Sequence, residues 1–303
     1  MKNKFKIFSF IFCITFIFSL FSIVTSADSG PKPSVRINFE NMGEELCYGT
    51  LLSKNPSTGP QSAWDGDEEH IYKDNDLPLD IWRAFVDYKD SDGYYFLQIA
   101  WQVNEKHELA WTYYPPESFK ILLYYPETKS FRISEICEAY AFDTYYTVDM
   151  QGVNLGSVDY NEELSNNDRL VAYKSYQWRT EAISLILRIV ITIALEMCVA
   201  FLFGFREKRA LILLVAVNVA TQIALNIILN FINFTSGEAA FVAGYIMLEI
   251  AIFAIEAMIY SSFMKKLSKK ARSKRFYIVY SFLANGISFI SGLALALVIP
   301  GIF

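Results

Sequence analysis

Four long apolar stretches constrain this chain more than any other feature: 182–205, 210–233, 239–264 and 276–300. Each holds 24 residues or more. A helix rising ~1.5 Å per residue then crosses a hydrocarbon core of ~30 Å. The connections orient them. Residues 206–209 carry three bases, residues 265–275 carry seven, and residues 234–238 carry none. Basic loops stay inside. The segment before the first span is therefore expected outside, loops 206–209 and 265–275 in the cytoplasm, and the carboxyl terminus outside. As a topology determinant the seven-base loop needs no further role. As an anionic-lipid site it would add ~1 kcal/mol per base near the surface.

The amino terminus points the same way. Residues 1–6 (MKNKFK) are basic, residues 7–24 are apolar, and Thr25-Ser26-Ala27 offers small residues at a cleavage position. Residues 1–27 read as a secretory signal peptide, with an uncleaved signal anchor as the alternative. Charge then divides the rest. Residues 28–180 hold 26 acids and 13 bases, whereas residues 181–303 hold 6 acids and 11 bases. The expected domains are the signal, an acidic exported domain over 28–180, and a membrane domain over 181–303. Only Cys47 and Cys137 fall in the exported part, where a disulfide between them is permitted.

Several residues in the spans are costly in lipid. Glu196 precedes Arg206 by ten positions, Glu256 precedes Lys265 by nine, Asn218 follows Arg209 by nine, and Asn285 follows Arg275 by ten. All four are expected ~13–15 Å above the inner boundary, near mid-bilayer. Each helical pair thus has a Glu going in and an Asn coming out, a weak internal repeat of parallel type. Further out, Arg188 and Glu249 share a depth and have opposite charge, so an ion pair between them is expected. Asn226, eight residues after Asn218, shares that outer layer. Thr221 and Gln222 complete the polar set. One reading makes these groups packing glue, at ~0.6 kcal/mol per interhelical hydrogen bond. The other makes Glu196 and Glu256, which lack a counter-cation at their own depth, a proton or cation site whose two carboxyls titrate together.

The exported part reads as β. Residues 35–39, 46–52, 119–125, 130–133 and 139–148 are expected strands. Residues 126–129 turn a hairpin between the third and fourth of them. Residues 81–88 and 94–103 are expected to form a second hairpin around 89–93. An antiparallel, sandwich-like sheet structure follows. Residues 151–177 form a polar neck, and 173–178 an aromatic belt at the outer surface. Acids cluster at Asp65, Asp67, Glu68, Glu69, Asp74, Asp76, Asp80, Asp87, Asp90 and Asp92. Their spacing fails the EF-hand pattern, because the first and twelfth ligand positions would be Tyr88 and Ile99. Trp64, Trp82, Trp101, Trp111, Tyr113 and Tyr114 read as core, or as a glycan or peptide groove. Zinc, P-loop and GxSxG patterns are absent from the sequence, so no metal, cofactor or catalytic residue is assigned. An acidic exported face argues against nucleic acid.

The fold class expected is a multi-domain membrane protein: a β-rich, antiparallel, sandwich-like exported domain followed by an all-α four-helix transmembrane bundle. The leading function is a plasma-membrane protein whose exported domain binds a protein or glycan ligand, as an envelope sensor or complex subunit. The alternative is a small proton- or cation-coupled transporter using Glu196 and Glu256. A membrane enzyme comes third.

Overall fold

The run Phe119–Tyr125 has no polar alternation, and a strand of that kind must be covered on both faces. The computed structural model, which describes residues 31–71, 77–153, 169–176, 178–268 and 272–298, shows how. Twelve strands are found among them: β1 Ser34–Glu40, β2 Tyr48–Ser53, β3 Ser57–Thr58, β4 Gln61–Ser62, β5 Trp101–Gln102, β6 Glu108–Trp111, β7 Ser118–Tyr125, β8 Ser130–Ser134, β9 Cys137–Glu138, β10 Asp143–Asp149, β11 Arg169–Leu170 and β12 Ala172–Lys174. One sheet runs β12-β10-β1-β6, the other β11-β8-β7-β2-β5 with β9 also on β7. Phe119, Ile121, Leu123 and Tyr125 of β7 meet Val35, Ile37, Phe39, Leu109, Trp111, Tyr146 and Val148 of the first sheet in one core. The intervening Leu122 and Tyr124 face the opposite way, into a second core with Ile81, Trp82, Phe85 and Phe96. A period of two therefore splits one apolar run between two cores.

Helix α1, Leu79–Asp87, supplies the cover for that second face. Residues 81–88 were expected as a strand, and this is a correction. Ile81, Trp82 and Phe85 are all buried, a spacing of one and four that a helix puts on one side. Strand alternation would turn Trp82 away from Ile81. Only Trp101–Gln102 of the expected strand 94–103 is regular. Gln98 takes a positive φ of 61°, which breaks an extended run. The hairpin expected around 126–129 is present as antiparallel β7–β8.

The sheets are mixed, not antiparallel. β1 pairs β10 in parallel from Ser34–Asp143 to Glu40–Asp149, and β11 pairs β8 in parallel. Both pairs join strands far apart in sequence, where no hairpin turn dictates direction. Gly49 of β2 is a tight point of the main core: a Cβ there would lie 3.0 Å from Leu123 Cδ2 and 3.1 Å from Leu109 Cδ1.

The disulfide permitted between Cys47 and Cys137 is not formed; both are free, buried thiols. Cys137 pairs beside Phe119, at one end of β7, while Cys47 precedes Tyr48, which pairs Tyr124 at the other end on the opposite edge. Five or six residues of strand separate them, roughly 17–20 Å at ~3.3 Å per residue, beyond the ~7 Å that a disulfide spans between Cα atoms.

Three helices follow the strands: α2 Trp178–Leu202, α3 Lys208–Leu267 and α4 Lys274–Val298. Two of them, over 182–202 and 208–267, are long and apolar enough to cross a membrane. The second is two helical limbs joined at Gly237, whose φ of 79° and ψ of −178° are non-helical. Thr221 and Asn218 on the first limb bond Glu256 and Tyr260 on the second, so the chain doubles back there. The described end of the neck, residues 169–176, is woven into the sheets. β11 joins one sheet, β12 joins the other two residues later, and α2 begins at Trp178. Residues 1–27, expected as the signal, and residues 154–168 of the neck lie outside the described residues. Residues 32–303 form one compact unit.

Candidate functional site

Glu196, Asn218, Glu256 and Asn285 come together in one buried network, each 3 % exposed or less. Asn218 Nδ2 donates to Glu196 Oε2 at 2.6 Å, and Asn285 Nδ2 donates to Glu256 Oε2 at 2.7 Å. Each amide also donates to the carbonyl four residues back, Leu214 O at 3.1 Å and Ser281 O at 3.0 Å. The two Glu–Asn pairs are therefore built alike, one from α2 and the first limb of α3, the other from the second limb and α4. Reading height from residue counts places these groups because depth is the coordinate that a helix measures at a fixed rise.

Tyr260 links the pairs. Asn218 Nδ2 lies 3.3 Å from its hydroxyl, and that hydroxyl donates to Glu256 Oε2 at 3.4 Å. Thr221 Oγ1 donates to Glu256 Oε1 at 2.9 Å. Both oxygens of Glu256 thus face groups placed to donate, although the one Thr221 hydrogen is also within reach of Val217 O and Asn218 O. Glu196 is treated differently. Its Oε2 has Asn218, but its Oε1 is buried without a donor, and so is Asn218 Oδ1. Tyr260, Tyr280 and Ser281 are fully buried around the layer, and the counting argument did not name them. A signal was present: Tyr260 is one turn after Glu256 and Ser281 one turn before Asn285, the spacing that stacks side chains on a helix.

The outer layer departs from expectation. Arg188 and Glu249 line the same cavity, with Thr192, Gln222, Asn226 and Tyr245. Arg188 Nη1 donates to Asn226 Oδ1 at 2.9 Å, and no Arg188–Glu249 ion pair is found among the described residues. Equal height fixes nothing about direction around the helix axis. Asn226, at the same height on a neighbouring limb, takes the guanidinium instead. The cavity measures about 10 Å³, room for about one water.

Where the β-rich part meets the helices, the contact is close. Phe142 N donates to Phe234 O at 2.9 Å. The Phe142 ring occupies the space of a Cβ on Gly237, with Cδ1 at 2.5 Å and Cγ at 3.0 Å. Phe234 also meets the rings of Tyr140 at 6.3 Å and Tyr176 at 5.7 Å. The reversal of α3 is thus a socket for the strand loop before β10.

Other expected residues take structural roles. Trp82 and Trp111 are buried in the two cores, Trp64 packs edge-on to Trp82, and Trp101 to Trp111. Asp90 and Asp92 both hold Lys120, which is only 5 % exposed, so part of the acidic cluster serves the sheet. Lys120 and its hydrogen bond hold the Asp92 carboxyl below the usual range. The Asp67 backbone N–H, then His70, do the same for Asp65, and Asp65 in turn raises the His70 imidazole. Burial pushes the Cys47 thiol up to about 12, so it packs as an inert thiol. No protein-family profile, curated protein or solved structure matches this chain.

Proposed function

We propose that this chain is a plasma-membrane protein crossing the bilayer four times, with residues 28–180 outside, loops 206–209 and 265–275 inside, and the carboxyl terminus outside. Its spans are α2, the two limbs of α3, and α4. Its work is interaction: the exported domain binds a protein or glycan partner, as an envelope sensor or complex subunit, and the bundle carries it. The observation behind this reading is the Phe142–Gly237 contact. A domain that merely needed tethering would hang from a free neck. Here the strands grip the turn of α3 directly and β11 and β12 bind the neck, so a load on the sandwich reaches the helices.

Transport of a bulky solute has less support, because the cavity among the helices admits about one water. The reading is tested in intact cells with single-cysteine variants and a membrane-impermeant maleimide. Tyr95→Cys and Tyr173→Cys, both exposed, should label. Glu207→Cys and Ser268→Cys should label only after the membrane is opened. Labelling of residue 207 or 268 from outside would overturn the topology. For the interaction role, proximity labelling from the exported domain should enrich the same neighbours with the full chain and lose them when residues 31–176 are deleted.

A further inference from the structure

The two Glu–Asn pairs are alike in position and unlike in donors, and that difference carries a further assignment. Three groups are placed to donate to Glu256: Asn285 at 2.7 Å, Tyr260 at 3.4 Å, and Thr221 at 2.9 Å, whose single hydrogen is also within reach of Val217 O and Asn218 O. This is the surrounding of a carboxylate, which accepts and cannot donate. Glu196 and Asn218 are each 2 % exposed and already joined at 2.6 Å, yet Glu196 Oε1 and Asn218 Oδ1 both lack a donor. Turning the amide over would not help, because its Nδ2 is fixed by donating to Leu214 O as well. Two stranded acceptors on one bonded pair are satisfied together by a single hydrogen.

We propose that the Glu196–Asn218 pair is a proton-binding site: Glu196 holds a proton on Oε1, which donates to Asn218 Oδ1, while Glu256 is the ionised partner. One proton is thus shared by two carboxyls in unequal settings, and Asn218 and Tyr260 connect them. A bare metal cation fits less well, since two free oxygens fall short of the six or so that a hard cation collects. The groups facing the site are Asn218 and Thr221 on the first limb of α3, Glu249, Glu256 and Tyr260 on the second, and Tyr280 and Asn285 on α4. Tyr280 donates to the backbone carbonyl of Glu196 at 3.4 Å, not to its carboxyl. The assignment does not depend on what the exported domain binds.

The test is infrared spectroscopy and thermal unfolding of the purified full chain at neutral pH. Wild type should show the carbonyl stretch of a protonated carboxylic acid. Glu196→Gln should lose that band, and Glu256→Gln and Glu249→Gln should keep it. Glu196→Gln should also melt like wild type, because its amide N–H takes over the missing hydrogen bond. Glu256→Gln should melt lower, because its amide N–H meets a site filled with donors. Absence of the band in wild type, its survival in Glu196→Gln, or its loss in either other variant would overturn the assignment. So would a melting point that rises with sodium over choline in wild type but not in Glu196→Gln, which would make the occupant a metal cation.

Discussion

Gly237→Ala perturbs the one point where the strands lock onto the helices, and its cost follows from two terms. The backbone there, at φ 79° and ψ −178°, is a conformation open essentially to glycine, worth of order 1–3 kcal/mol of strain for another residue. The added methyl would also overlap the Phe142 ring, and overpacking costs ~1–3 kcal/mol. The second term has a ceiling, because the ring can leave its socket. Where the loop withdraws with the ring, the backbone hydrogen bond from Phe142 N–H to Phe234 O is lost, ~1 kcal/mol, and the contacts of the Phe234 ring with Tyr140 and Tyr176 weaken, at ~0.5–1.5 kcal/mol each. A net loss of ~2–4 kcal/mol is expected. Four of the five tryptophans, at 64, 82, 101 and 111, lie in the β-rich part and the fifth, Trp178, opens α2, so tryptophan fluorescence during urea unfolding reports mainly the sandwich, while the substitution lies in α3. Gly237→Ala should lower the fluorescence midpoint. Phe142→Ala should lower it less, and the double variant should cost less than the sum because the overlap is removed once. An unchanged midpoint for Gly237→Ala, or strict additivity of the pair, would refute the socket.

Three further outcomes follow from the sandwich. Gly49→Ala should cost ~1–3 kcal/mol in the same unfolding assay, since its methyl meets Leu123, Leu109 and Val103 at 3.0–3.1 Å. Lys120→Met should cost ~3–5 kcal/mol, because the Asp90 carboxyl, 1 % exposed, loses its partner. Lys120 also sets an acid limit: the depressed Asp92 carboxyl contributes stability above its unfolded pKa and loses it as pH falls through the folded value. Acid unfolding should therefore begin at higher pH in Lys120→Met than in wild type. His70 should titrate above its ordinary value of about 6.5 in an NMR pH series and return toward it in Asp65→Asn. The contribution of that pair is present below the unfolded pKa and lost as pH rises through the folded one.

Much of this arrangement is legible in the residues, and the failures have physical causes. β1 is plain from alternation, and the β7–β8 hairpin from the Pro126–Lys129 turn, where Lys129 takes a positive φ of 51°. Residues 81–88 mislead because aromatic and β-branched side chains favour strands, while the burial of Ile81, Trp82 and Phe85 follows a helix. The parallel β1–β10 pairing joins residues about a hundred positions apart, and local turn chemistry is silent on such partners. Height along a helix can be counted, which is why Glu196, Asn218, Glu256 and Asn285 meet. Angle around it cannot, which is why Arg188 bonds Asn226. The unequal donor sets of the two Glu–Asn pairs depend on Thr221, Tyr260 and their rotamers, and no count of charges reveals them.

The central claim joins the contact of the sandwich with the turn of α3 to the proposal that this turn lies on the outer side of the membrane. It is tested most directly by cross-linking Tyr140→Cys to Phe234→Cys in intact cells with a short, membrane-impermeant thiol cross-linker. Their rings lie 6.3 Å apart, so near-complete linkage is expected, reduced when Phe142→Ala is added. Linkage no greater than that of Tyr95→Cys with Phe234→Cys would contradict the claim.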